Sequence, residues 1–276
     1  MVRGRRASPA VAMNSPDQPA TRRPWTGPAE SFALLTSLRV PAAASARGVL
    51  PWAPLVGLVL GGVAAAIAWA AGRAASPLVG AVLGVAVLAG LTRGLHLDGL
   101  ADTADGLGPL RGREKALAVM RAGDVGPFGV VTLVLTLLLQ VAGLAHLLTL
   151  DGGWLALPIA TVTARVAMAR TGLPGVPIAA GSSLGQAVAG TVSRGWLAGA
   201  ALSTATAAAV GALLAGAEGV AAALGLVAAV AVGLASSEAL FSRARARLGG
   251  VNGDVMGAMG EVTAAVTLLA AAGLLS

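Results

Sequence analysis

Seven apolar runs dominate this chain: residues 51–71, 76–94, 128–148, 153–172, 196–217, 220–240 and 262–275, the last of them short. An α-helix needs about twenty such residues to cross the hydrocarbon core of a bilayer. The chain is 56% hydrophobic and 11% charged, against roughly 25% charged in a soluble domain. The expected fold class is therefore all-α, a polytopic membrane bundle of about seven transmembrane helices, forming one domain over residues 29–276. Residues 1–28, rich in Arg, Pro, Ser and Ala with no apolar period, read as a disordered basic tail. No apolar segment precedes Leu34, so the tail does not read as a signal peptide, and Met13 is a second candidate start. Residues 29–38 read as a short interfacial helix with Phe32, Leu35 and Leu38 on one side.

The charges set the orientation. Net charge is +7, and the segments between runs carry it unevenly. With a cytoplasmic N-terminus, the cytoplasmic segments are the tail, 95–127, 173–195 and 241–261. These hold Arg111, Arg113, Lys115, Arg121, Arg194, Arg243, Arg245 and Arg247, whereas the opposite loops hold Arg73, Asp151 and Glu218. An excess of Lys and Arg marks the cytoplasmic side. The basic tail is explained by the same rule, and no nucleic-acid partner is expected. Trp52, Trp154 and Trp196 fall near run ends, as interfacial aromatics do. The absence of cysteine excludes disulfides and thiolate chemistry, and two histidines are too few for a multi-histidine zinc site. Two Gly-xxx-Gly pairs, Gly57/Gly61 and Gly80/Gly84, permit close helix packing, though alanine- and glycine-rich composition produces such pairs by chance.

Chemistry concentrates in His96-Leu-Asp98-Gly99-Leu-Ala-Asp102-Thr-Ala-Asp105-Gly106. Asp98, Asp102 and Asp105 fall at i, i+4 and i+7, on one face of a helix. Three like charges with no basic residue among them repel one another unless a cation intervenes. Mg²⁺ takes oxygen ligands and bridges to substrate phosphates, so the segment reads as a metal and phosphate site. Gly99, Gly106 and Gly108 allow close approach of backbone to a ligand. His96 either bonds a phosphate, orients Asp98 or is an interfacial polar residue.

The other candidates lie in the same cytoplasmic segments. Asp124, among Gly123, Gly126 and Pro127, is either a fourth ligand, a general base or the N-cap of the third run. Arg165, inside the fourth run, is costly in lipid and needs a partner: an aspartate, a substrate phosphate or, by snorkelling, the headgroups. Gly181-Ser-Ser-Leu-Gly185 is a weak candidate for binding an anion through backbone N–H groups. Arg243, Arg245 and Arg247 precede Gly249-Gly250-Val-Asn252-Gly253-Asp254, where Arg243 and Arg247 suit bidentate phosphate binding and Asn252 and Asp254 complete a pocket.

Together these segments resemble the cobalamin synthase family, the adenosylcobinamide-GDP ribazoletransferases. The likeness begins at Phe32-Ala-Leu-Leu35-Thr36, continues at Trp52-Ala-Pro54 and Gly57, is closest over 96–108, resumes at Gly126-Pro127-Phe128-Gly129 and ends at 249–258. Two positions depart from the pattern: Ala122 stands where members often carry an acid, and Asn252 where they often carry Thr. The resemblance implies transfer of the phosphocobinamide group of adenosylcobinamide-GDP to α-ribazole or α-ribazole 5′-phosphate. GMP leaves, and the expected metal is Mg²⁺. The residues suit that chemistry in their own right, with Asp98, Asp102 and Asp105 as expected metal ligands and His96, Arg165, Arg243, Arg247, Asn252 and Asp254 as expected substrate-binding residues. Asp124 is the remaining catalytic candidate. The resemblance also implies a multi-pass protein of the bacterial cytoplasmic membrane, with a homo-oligomer left open. The alternative is a CDP-alcohol-type membrane phosphotransferase, whose Ala-Arg pair is missing at the required spacing after Asp98-Gly99. A transporter would place ionisable groups near the bilayer midplane, where these runs have almost none.

Overall fold

The computed structural model describes residues 25–41, 45–108, 112–215 and 219–275. Among them there are helices and connections but no strand beyond one isolated bridge. Most of the basic tail, together with Arg111, Ala217 and Glu218, lies outside the described residues. Five helices are long and apolar enough to cross a membrane: α2 (Val49–Ala74), α6 (Pro127–Leu147), α9 (Arg194–Leu214), α10 (Gly219–Leu248) and α11 (Gly253–Leu274). A sixth such stretch is divided between α3 (Pro77–Leu91) and α4 (Leu95–Leu107), bent by 89° at their junction. The fourth apolar run becomes α7 (Ala156–Ala169), shortened by 3₁₀ turns on both sides. Its 14 residues extend about 21 Å, so the count of spanning helices is five or six. Short helices α1 (Thr26–Leu35), α5 (Arg113–Ala122) and α8 (Ser183–Val188) complete the fold.

Burial orders the bundle. Helix α7 is buried almost throughout and packs on α2, α9, α10 and α11. Helices α2, α3, α6 and α9 turn Leu58, Trp69, Leu78, Val131, Leu138 and Leu202 outward, the apolar surface a bilayer-facing helix requires. Both Gly-xxx-Gly pairs are packing seams. A methyl on Gly61 would collide with Thr161 and lie 2.8 Å from Pro158 Cα, and one on Gly57 would lie 2.7 Å from the Thr161 carbonyl oxygen. The Thr161 hydroxyl donates to the Gly57 carbonyl at 2.9 Å. Gly80 and Gly84 seat α3 on α2 in the same way, against Gly72 and Ala68.

The segment before α2 differs from its expected amphipathic pattern. Helix α1 starts at Thr26 and buries Glu30, Ser31 and Leu35, while Leu38 is exposed beyond its end. Helix α2 begins at a glycine with no side chain to cap it, and Glu30 supplies the cap from α1. Its carboxylate accepts from the Gly48 N–H at 2.5 Å and from the Ser45 hydroxyl at 2.7 Å. An acid there also complements the positive end of the helix dipole.

The bend between α3 and α4 rests on two consecutive left-handed residues, Arg93 (φ 57°) and Gly94 (φ 67°). Glycine takes this conformation freely and arginine does not. The result carries α4 across the end of the bundle instead of on through it. Helices α10 and α11 run further than the apolar pattern suggests. Helix α10 continues through the arginines to Leu248, and α11 starts at Gly253 rather than near residue 262. Gly249 (φ 79°) ends α10. A methyl on Gly250 would lie 2.5 Å from the Ile178 carbonyl carbon, so this glycine pair ends α10 and docks the 173–182 loop.

Candidate active site

The site forms where α4 crosses the first turn of α11. A methyl on Gly99 would lie 2.8 Å from the Asp254 carbonyl oxygen, and one on Gly257 would lie 3.1 Å from His96 Cα. Two glycines, one on each helix, thus let the backbones touch. Gly99 approaches protein here, not a ligand. Asn252 fixes the α11 end: its side-chain oxygen caps the Val255 N–H at 3.0 Å, and its amide donates to Asp254 at 2.8 Å. Asp254 is consequently held beside Asp98 and Asp102, on the far side of the crossing.

These carboxylates act on one another. Burial, reinforced by the charges of Asp98, Asp254 and Asp105, pushes the Asp102 carboxyl up to about 6. Asp98 is exposed and Asp102 buried. The third expected ligand is engaged elsewhere. Asp105 is buried and accepts the Gly126 N–H at 2.7 Å, so it caps α6, which has no cap of its own. Asp124, the cap candidate from the sequence, is exposed on the 123–126 connection. Among the described residues no three His, Cys, Asp or Glu side chains converge to hold a metal ion, so the expected trio Asp98, Asp102 and Asp105 does not meet at one point. Asp98, Asp102 and Asp254 likewise do not converge as three ligands, but they form an oxygen-only group whose charges repel one another. That set suits Mg²⁺, which is held by one or two carboxylates plus substrate phosphates.

A cavity of about 350 Å³ opens beside this cluster. Asn252, Gly253 and Asp254 line it, with His96, Arg121 and the 181–184 segment. Leu35, Leu50, Met168, Val188 and Met256 form its apolar wall. His96 is 2% exposed. Burial, then the charge of Arg165, holds its pKa well below the usual histidine value, and neither ring nitrogen has a hydrogen-bond partner. The phosphate-binding candidates are dispersed. Arg243 reaches the Leu107 carbonyl at 3.4 Å, at the end of α4, and Arg247 is half-buried on α10. Neither lines this cavity.

Arg165 is in the bundle interior, where its guanidinium contacts the Met168 sulfur at 3.5 Å and interacts electrostatically with Glu261. Glu261 accepts from the Gln140 amide at 2.9 Å. Sequence reasoning assigned no site role to Arg121 at the cavity rim, nor to Glu261 and Gln140 beside Arg165. Gln140 alone carried a signal, as an amide inside an apolar run.

The sequence pattern of the cobalamin-5-phosphate synthases (CobS) matches residues 28–272. The chain belongs to that family. It is 40% identical over 227 residues to an adenosylcobinamide-GDP ribazoletransferase of Frankia casuarinae, covering 79% of this chain and 82% of that one. It is 35% identical over 269 residues to one of a Roseiflexus species, covering 93% and 95%. It is 37% identical over 233 residues to one of Pseudomonas aeruginosa, covering 82% and 86%. No solved structure matches the chain. The matched segment takes in the α4–α11 crossing, the cavity beside it and the interior residues Arg165 and Glu261.

Proposed function

We propose that this chain transfers the phosphocobinamide group of adenosylcobinamide-GDP to α-ribazole or α-ribazole 5′-phosphate, releasing GMP, the nucleotide-loop assembly step of cobalamin synthesis. The observation that carries the site assignment is the α4–α11 crossing, which brings Asp254, a lining residue of the cavity, beside Asp98 and Asp102. A ribose hydroxyl oxygen of the acceptor bonds to the phosphorus of the cobinamide phosphate. The bond from that phosphorus to the bridging oxygen breaks, and GMP departs with that oxygen. Asp254, lining the cavity and held by Asn252, accepts the hydroxyl proton as general base.

Asp98 and Asp102 would hold Mg²⁺, which when bound neutralises charge on the transferring and leaving phosphoryl groups. His96 and Met168 shape the cavity floor. The arginines at this end of the bundle support a cytoplasmic location for the site in the bacterial inner membrane.

The test is turnover by detergent-solubilised protein given adenosylcobinamide-GDP, α-ribazole and Mg²⁺, with and without chelator. The expected result is GMP and a cobalamin product in equal amounts, lost on chelation and restored by added Mg²⁺. CMP release from a CDP-alcohol, with no corrinoid product, overturns the reading. Because the chain lacks cysteine, single cysteines at Ser183 and Leu150 report the orientation directly. The first is expected to react with an impermeant thiol reagent only from the cytoplasmic side, the second only from the other.

A further inference from the structure

The cavity beside the carboxylates has a size and lining that discriminate between the two substrates. Resting on the transferase reading above, we propose that it is the acceptor pocket. It takes the apolar bicyclic base of α-ribazole against Leu50, Met168 and Met256, with the ribose directed toward Asn252 and Asp254 and a 5′-phosphate, when present, on Arg121.

Size excludes the corrinoid. The cavity is about 350 Å³, near the lower end of the range of about 300–1,000 Å³ usual for small-molecule sites. A nucleoside fits that volume and a corrin ring with its side chains does not. Ser182 and Ser183 also line the cavity, but a base seated on its apolar wall of Leu50, Met168, Val188 and Met256 is not guanine, the base of the other nucleoside in the reaction. Guanine carries donors and acceptors around its edges, and the leucines, methionines and valines of this wall would leave them unpaired, which is unfavourable. A dimethylbenzimidazole ring has a single in-plane acceptor and two methyl groups, and buries well against such a wall. One polar side chain lies deep at this wall. His96 is 2% exposed, lines the cavity and has both ring nitrogens without a partner, so an imidazole N–H is available to the acceptor nitrogen of the base.

The two ends of the cavity then fit the two ends of the nucleoside. At one side Asn252 and Asp254 join the carboxylate cluster, where the attacking hydroxyl must be. At the rim stands Arg121, exposed and, among the described residues, anchored through a 3.5 Å contact to the Ala180 carbonyl. This guanidinium can turn to a phosphate and form a bidentate pair. The same pocket therefore accepts α-ribazole with or without its 5′-phosphate, and Arg121 sets the preference between them.

The test uses full-length protein in nanodiscs and steady-state GMP release with each substrate varied. Leu184→Trp fills the cavity from its half-exposed side. It is expected to raise KM for both acceptors at least tenfold while KM for adenosylcobinamide-GDP shifts less than twofold. Arg121→Ala is expected to raise KM for α-ribazole 5′-phosphate at least fivefold relative to that for α-ribazole. Arg121 is exposed, so this second variant carries the test if the first fails to fold. A rise in KM for adenosylcobinamide-GDP instead assigns the cavity to guanosine and overturns the proposal. Unchanged constants in both variants overturn it as well. Wild-type protein that releases no GMP refutes the transferase reading first, a failure distinct from either variant outcome.

Discussion

The two ends of this bundle are packed from different materials. The end away from the site is an alanine core: Ala64, Ala65, Ala68, Ala81, Ala156, Ala160, Ala208 and Ala212 are buried with a few leucines and valines, and glycine seams bring α2 within contact of α3 and α7. The site end is built from larger and softer residues, Leu50, Met120, Met168, Phe241, Met256 and Met259, and from loops and short helices. Small residues make close contacts and leave little to rearrange. Methionine fills irregular gaps and tolerates reshaping. The first end is a scaffold, and the second keeps a cavity and a cluster of acids that a rigid alanine lattice could not accommodate. Between them lies the Arg165–Glu261–Gln140 group, polar matter buried at the boundary.

That boundary offers the severest test. Arg165→Met removes the cation whose charge favours ionised Glu261, leaving that carboxylate in the interior with Gln140 alone, and an uncompensated interior charge costs about 3 kcal/mol or more. A fall in apparent Tm on the order of 10 °C is expected, with at least half recovered in the double variant Arg165→Met/Glu261→Gln. A single variant as stable as wild type would make the boundary no more than a continuation of the scaffold.

The next largest effect separates chemistry from stability at the site end. Asp102→Asn is expected to slow GMP release roughly 100- to 1,000-fold, the scale of losing one group that stabilises the transition state, with an unchanged elution profile and a Tm equal to or above that of wild type. The Tm direction follows from the charges: the amide removes a buried like charge that Asp98 and Asp254 oppose. A variant with near-normal turnover would remove Asp102 from the reaction.

The converse variant lies in the scaffold. Gly61→Leu forces a side chain into Thr161 and Pro158, and overpacking of this kind costs about 1–3 kcal/mol. Tm is expected to fall while KM values for the fraction that folds stay within twofold of wild type. Altered KM with unaltered Tm would mean that the two ends are not separable.

The smallest effect divides the aspartates themselves. Asp105→Asn keeps an oxygen for the Gly126 N–H, so turnover is expected within tenfold of wild type. Asp105→Ala loses the cap and about 0.5–2 kcal/mol of stability. If Asp105→Asn is as inactive as Asp102→Asn, Asp105 takes part in the chemistry and its bond to Gly126 is secondary.

The all-helical membrane class and the rough positions of α2, α6 and α9 were legible from apolar run length alone, because crossing a bilayer demands a length that few other folds require, whereas α10 and α11 extend well beyond their apolar runs. The aspartate string announced the chemistry because acids without counter-charges are costly in such a chain. What the linear pattern could not convey is which acids meet. Helical spacing puts Asp98, Asp102 and Asp105 on one face, yet Asp105 is taken by the uncapped start of α6, and the place beside the other two goes to Asp254, some 150 residues further along the chain. Arg165 advertised a need for a partner without naming it, since Glu261 comes near only when α7 and α11 pack. Glu30 is invisible for the same reason: its role is to cap a helix to which it does not belong. Run length and residue chemistry are local properties, written along the chain. The pairing of acids, caps and buried charges depends on which helix ends arrive together, and that follows from the 89° turn at Arg93–Gly94 and the glycine contacts that bring α4 onto α11.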